Sequence, residues 1–260
     1  MRIFNAVFHK ILAGLLLLAV SLCSHAKNIQ SDEQPPLRIA VASNFKNTLI
    51  ELVADFKRQH AYPITISSAS TGALYQQIIK GAPFDIFFAA DELRPNKLVK
   101  QGLAQHTQLY AYGRVALYSA KTQFNYAQQP QTLPSTCRIG IANPAYAPYG
   151  IAAQKVINDI SALSQCQLIK GSNIAQAFQF TQLQTVDLGV VAYSHVLEQS
   201  IEQSQYQLLN ERYNVAQALV VLNNSNHKHT DNRAAQFVAY LHSANAQQII
   251  SHSGYKGVAK

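Results

Sequence analysis

The chain has 260 residues, with 21 Lys and Arg against 13 Asp and Glu, a formal net charge of +8. Its basic residues, among them Lys46, Lys57, Arg58, Lys80, Arg94, Lys97 and Lys100, stand singly or in pairs rather than in a patch with interleaved aromatics, which argues against nucleic acid as a partner. The surplus of positive charge suits an anionic ligand.

Residues 1–26 have the three parts of an export signal. Arg2 and Lys10 form a basic start, residues 11–23 an apolar run of 13, and Ser24-His25-Ala26 a small-residue cleavage site. The run is too short for a membrane span, which needs about 20 residues. Cys23 raises the alternative of a lipid anchor, against which Leu22 stands where a lipoprotein signal usually has Gly or Ala. Removing 26 of 260 residues leaves 234, enough for one large domain or two lobes, and 19 basic against 13 acidic residues, near +6. Two cysteines remain, Cys137 and Cys166. They can bridge in an oxidising compartment if their Cα atoms approach, which sequence leaves open, and their separation is no metal-site spacing.

From residue 37 onward, short apolar runs alternate with amphipathic stretches, the pattern of βαβ units and an α/β fold. Residues 37–42 read as a buried strand. Residues 48–59 read as a helix with Leu49, Leu52, Val53 and Phe56 on one face, and 64–67 as a second strand after Pro63. A helix over 73–80 stops at Gly81, and a strand over 86–89 is followed by a helix that Asp91 caps. After a strand at 115–119 and a Gln- and Pro-rich connection at 128–134, the series restarts. It runs strand 138–142, helix 151–161, strand 167–169, helix 174–183 and strand 188–192. A long strand at 215–222 and a helix at 232–243 close the chain. Two similar series with a return segment predict two lobes and a cleft, with 27–113 and 222–260 as lobe 1 and 114–221 as lobe 2.

Ligands of such sheets bind where strand C-termini meet helix N-termini, because free backbone donors and the helix dipole converge there. Four such turns are rich in neutral donors. Ser43 and Asn44 follow the first strand; Ser70, Thr71 and Gly72 open the second helix. In the second half, Pro148 and Tyr149 precede one helix and Ile174 opens another. Capping alone accounts for Ser and Asn at any single turn, but together the turns describe a cleft that can hold a dianion without Arg or Lys.

At these turns the chain resembles the periplasmic molybdate-binding proteins of ABC importers. The resemblance is carried by Arg38-Ile39-Ala40-Val41-Ala42-Ser43-Asn44-Phe45, Ser70-Thr71-Gly72-Ala73-Leu74, Gly81-Ala82-Pro83-Phe84-Asp85-Ile86-Phe87, Ala147-Pro148-Tyr149-Gly150 and Leu188-Gly189-Val190-Val191-Ala192-Tyr193. It implies a two-lobed periplasmic binding protein of the type II fold that closes on molybdate or tungstate. It implies delivery to a membrane permease, a monomer in the periplasm, and no cofactor or bare cation. Carried over by position, Ser43, Asn44 and Thr71 bind from one lobe, and Tyr149 and the Ile174 N–H from the other. Ser70 and Tyr193 are further candidates: Thr71 stands where many members have Ser, and some members take a tyrosine hydroxyl from the strand end where this chain has Ala192.

Other classes fit less well. A transferase on a similar two-lobed fold lacks support, because no nucleophile elbow, phosphate loop or dinucleotide fingerprint is present. Asp85, Asp91 and Asp187 flank strands, where capping explains them. His227, His229, His242 and His252 raise a metal site, but solvated histidines explain them as well. Sulfate or phosphate remains an alternative ligand. Phosphate, partly protonated at neutral pH, would profit from a carboxylate acceptor that no turn supplies.

Overall fold

The computed structural model describes residues 35–121, 129–134, 136–223 and 230–258, without the side chains of residues 230 and 231. The export signal, Cys23, His227 and His229 lie outside the described residues.

Two five-stranded sheets carry the fold. The first is built from β1 (Leu37–Ala42), α1 (Lys46–Phe56), β2 (Ile64–Ala69), α2 (Thr71–Ile79), β3 (Ile86–Phe88), α3 (Leu93–Lys100) and β4 (Gln108–Gly113). After β5 (Val115–Tyr118), the second series runs β6 (Arg138–Ala142), α4 (Pro148–Asp159), α5 (Ser161–Ser164), β7 (Gln167–Gly171), α6 (Ile174–Gln182), β8 (Leu188–Ala192), α7 (Tyr193–Glu198) and β9 (Tyr206–Leu208). The chain then returns through β10 (Val215–Val221) and ends in α8 (Thr230–Tyr240) and α9 (Ala244–His252).

The sheet orders are β2-β1-β3-β10-β4 and β7-β6-β8-β5-β9. In both, a central strand pairs in parallel with its two βα successors, and an antiparallel strand follows. The same device closes both units: Asp85 Oδ2 accepts from Arg38 N–H at 2.7 Å and Asp187 Oδ2 from Arg138 N–H at 2.7 Å, each tying the start of one central strand to the neighbour that enters beside it. These carboxylates therefore do the structural work expected of them. β10 pairs antiparallel with β3 and β4. Residues 215–221, placed by sequence in lobe 2, thus belong to the first sheet, because a strand between β3 and β4 completes a sheet whose own segment ends at Gly113.

Each sheet packs its helices on an apolar core. In the first, Leu49, Leu52, Val53 and Phe56 of α1 meet Ile39, Phe88, Phe237 and Leu241. Full burial of each such side chain contributes about 1.5–3 kcal/mol. In the second, Ala153, Val156 and Ile157 of α4 and Ala177 of α6 cover Ile139, Ile141 and Val190. Cys137 and Cys166 form a disulfide with Cα atoms 4.8 Å apart, joining the chain just before β6 to the chain just before β7. Its geometry is within the ordinary range.

Candidate functional site

The second sheet's core also contains Ala42 and Ala90 of the first sheet, together with Ala142, Ala147, Tyr149, Ile174 and Ala192. These residues end strands or open helices, so the two rows of strand C-termini face one another across a short gap. Alanine at these positions leaves room for that approach. Of the predicted donors, Tyr149 and Ile174 belong to this cluster, Ser43 directly follows Ala42, and Thr71 bonds Ala90.

Ser43 is half-buried in the turn after β1. Its N–H donates to Ala69 O at 3.0 Å, and its carbonyl faces His195 Nε2 at 3.4 Å. It also lines a cavity of ≈ 220 Å³ with Lys46, Asn47, Ala175, Gln179 and His195. Asn44 is 3% exposed, and its Nδ2 donates to Gln217 Oε1 at 2.9 Å and Tyr255 Oη at 3.2 Å. Its amide hydrogens thus point into the protein, not into the cleft, and its Oδ1 is buried without a partner.

Thr71 is the first residue of α2, so its N–H has no intrahelical acceptor. Its Oγ1 accepts from Ala90 N–H at 3.0 Å, which leaves the hydroxyl hydrogen to donate elsewhere. Ser70 takes the capping role, accepting from Ala73 N–H at 3.4 Å. Ile174 opens α6 behind the Asn173 cap, whose side chain accepts from Gln176 N–H at 3.0 Å, so the Ile174 N–H is likewise without an intrahelical partner.

Tyr149 is the second residue of α4, after Pro148, whose fixed φ and missing N–H suit a first helical position. The helix therefore begins at 148, not 151. The phenol is 2% exposed, and Gln217 Nε2 donates to its oxygen at 3.4 Å. Burial pushes its pKa well above the ordinary 10.0, so it stays a protonated donor. Tyr193 goes elsewhere. The Arg114 guanidinium lies over its ring at 4.9 Å, and it packs beside Tyr206 in a side cluster with Phe178 and Val196.

Direct hydrogen bonds cross between the lobes on both sides of this cluster. On one side Gly72 N–H donates to Tyr146 O at 2.8 Å, while Arg94, paired with Asp91, reaches Ala145 O at 3.5 Å. On the other, Ser194 Oγ donates to Asn44 O at 3.1 Å, and Asn47 bonds Glu198. Sequence reasoning missed Ser194, His195, Tyr110, Gln217 and Tyr255. The one legible signal was Gln217, a lone amide inside an apolar strand; the others need the tertiary fold to reveal them. Among the described residues no group of three or more His, Cys, Asp or Glu could hold a metal ion.

Residues 37–256 match the model of the bacterial extracellular solute-binding protein family. The molybdate-binding protein ModA of Azotobacter vinelandii is 34% identical over 228 residues, covering 84% of this chain and 89% of the relative. That of Rhodobacter capsulatus is 30% identical over 220 residues, covering 83% and 86%. The solved periplasmic molybdate-binding protein of A. vinelandii superimposes with a TM-score of 0.78 at 30% identity, over 86% of this chain and 99% of that one. Sequence and architecture agree on one assignment: the chain belongs to the bacterial extracellular solute-binding protein family, alongside the molybdate-binding proteins.

Proposed function

We propose that this protein captures molybdate or tungstate as the bare tetrahedral dianion and delivers it to the membrane permease of an ABC transporter. It is a solute-binding protein and not an enzyme, and the anion is its cargo rather than a cofactor. The observation that carries the ligand class is the one-way polarity of the donors. The oxygens of Thr71 and Tyr149 already accept from Ala90 and Gln217, so both hydroxyls are left to donate, next to the open N–H groups of Thr71 and Ile174. Charge-assisted bonds from neutral groups hold a dianion strongly without fixing a counter-ion beside it.

On this reading Ser43, Thr71, Tyr149 and the Ile174 N–H form the shell. Asn44 supports it from behind, and Ser70 and Tyr193 stand outside it. The lobes are residues 35–113 with 215–258, and 114–214. Residues 1–26 direct export to the periplasm and are removed, and the mature chain acts as a monomer that binds no nucleic acid.

Calorimetric titration of the protein with molybdate, tungstate, sulfate and phosphate in separate runs tests the proposal. One-to-one binding of molybdate and tungstate, with sulfate and phosphate silent, is the expected result. Silence from all four anions overturns it.

A further inference from the structure

The oxyanion reading leaves the buried amide of Gln217 unexplained. Gln217 is 0% exposed in the middle of β10, at the point where the pairing of β10 with β4 shifts register. A buried amide is costly unless its groups are satisfied. Its Oε1 accepts from Asn44 Nδ2 at 2.9 Å and from Tyr110 Oη at 2.8 Å. The Tyr255 hydroxyl donates to the Asn44 carbonyl at 2.6 Å and so accepts from Asn44 Nδ2, which sets the NH₂ end of Asn44; turning Gln217 over would then put its NH₂ against that NH₂, donor against donor.

The opposite end then faces the phenol. Gln217 Nε2 donates to Tyr149 Oη at 3.4 Å. Room for that contact comes from Gly113, where a Cβ would overlap both the Tyr149 hydroxyl and Gln217 Nε2. A phenol has one hydrogen, and an oxygen that receives a hydrogen bond from the amide cannot give its proton back to the same group. The hydrogen is left for another acceptor, which on the oxyanion reading is the ligand.

The chain of donors runs in one direction. Asn44 Nδ2 donates to Gln217, and Gln217 donates to Tyr149. Such chains polarise one another and strengthen the terminal donor. Gln217 belongs to the first sheet and Tyr149 to α4 on the second, so this step of the chain crosses from one lobe to the other.

We infer that Gln217 is a positioning residue that makes Tyr149 an obligate donor and thereby selects fully deprotonated oxyanions over protonated ones. The inference rests on the oxyanion reading of the site. The N–H groups of the shell cannot accept, and a Tyr149 hydroxyl held as a donor cannot either, so a P–O–H group loses its acceptor at the phenol and is left with the Ser43 and Thr71 hydroxyls, while molybdate, tungstate or sulfate has no proton to place. If the amide were replaced by an acceptor, Tyr149 would turn its proton inward and offer a lone pair to the ligand.

The test compares wild type, Gln217→Met, Gln217→Glu, Tyr149→Phe and the Gln217→Met/Tyr149→Phe double variant. Molybdate and hydrogen phosphate are titrated calorimetrically between pH 6 and 8, with a ligand-free thermal melt for each protein. Gln217→Met and Tyr149→Phe are each expected to weaken molybdate binding at least tenfold. The double variant should be no more than threefold weaker than Tyr149→Phe, because Gln217 acts through the phenol. Gln217→Glu should shift the molybdate-to-phosphate affinity ratio toward phosphate by tenfold or more, and that shift should vary with pH.

A purely structural Gln217 predicts otherwise: losses that multiply in the double variant and an affinity ratio that does not move. Either result overturns the inference. If Gln217→Met fails to fold, the ratio in Gln217→Glu decides, and failure of both variants to fold would assign Gln217 to the fold alone. Wild type that binds no oxyanion would instead sink the ligand assignment.

Discussion

Adding one methyl group at Gly72 should strengthen the empty protein and weaken the loaded one. Gly72 is the second residue of α2, and its N–H donates across the cleft to Tyr146 O at 2.8 Å. A Cβ there would meet Tyr146 O at 2.8 Å, Tyr146 Cα at 2.9 Å and the Arg94 guanidinium at 3.2 Å. The first two are main-chain atoms of the other lobe and cannot rotate aside, so the turn must retreat by about 0.5 Å to reach ordinary contact. Overpacking of this kind costs about 1–3 kcal/mol, and stretching the hydrogen bond about 1 more. The total of about 2–4 kcal/mol falls on the closed form, and at 1.4 kcal/mol per tenfold it weakens binding roughly 30- to 700-fold. The helix itself gains, since Ala is favoured over Gly by about 0.5–1 kcal/mol. Gly72→Ala should therefore melt no lower than wild type without ligand, yet bind molybdate far more weakly by calorimetry. Affinity within threefold of wild type would refute the reasoning, and a lower ligand-free melt with intact affinity would place the contact in the fold rather than in closure.

Three other perturbations separate the roles of neighbouring groups. Ser43→Ala and Thr71→Ala should each weaken molybdate binding by about 1–3 kcal/mol; Thr71→Ala should also lower the ligand-free melting temperature by orphaning Ala90 N–H, a loss that Thr71→Ser restores. Paired Cys137→Ser and Cys166→Ser changes remove a link spanning 29 residues, worth about 3.5 kcal/mol by loop closure, and should shift the denaturant midpoint while leaving affinity intact, because the bridge lies at the strand starts and the proposed site at the strand ends. Burial drives the His195 imidazole below its ordinary 6.5, against the pull of Glu198 and the Ser43 carbonyl, so the stability of its neutral form is present above about pH 6.5 and lost as pH falls through the lowered value. His195→Gln should flatten the fall in melting temperature below pH 6.5, and an unchanged slope would exclude this imidazole as its source.

The architecture was legible because both βα series alternate cleanly between apolar strand runs and helical faces. Leu37–Ala42 and Leu188–Ala192, for example, are apolar runs flanked by turn residues, and the strands have those bounds. Helix starts were read two to three residues late at Thr71 and Pro148, because the donors there looked like loop and were already helical. β4 escaped notice because Gln108, Tyr112 and Gly113 break its apolar pattern. Ala244–His252 was missed for a related reason, its apolar face being only Ala246 and the pair Ile249 and Ile250. The four turns were visible as local chemistry, but the buried network behind them was not. Tyr110 and Gln217 are 107 residues apart, and Asn44 and Tyr255 are 211 apart, so no window of sequence shows them touching.

That network bears on how a site of neutral donors can both hold and release an anion. On the oxyanion reading, closing the lobes without a dianion leaves the hydroxyl hydrogens of Thr71 and Tyr149 with nothing to accept them, which costs free energy rather than yielding it. Against this stand a few direct interlobe bonds, such as Gly72 to Tyr146 and Ser194 to Asn44, each worth about 0.5–1.5 kcal/mol. Moving a protein from almost all open to almost all closed takes about 5.5 kcal/mol of differential binding. Three charge-assisted bonds to a dianion, at about 1.5–3 kcal/mol each, supply that amount. On that reading closure depends on the anion itself, and opening withdraws the far-lobe donors from the ligand together. Release then requires only that a membrane partner favour the open form by a similar few kcal/mol, with no separate counter-ion to displace.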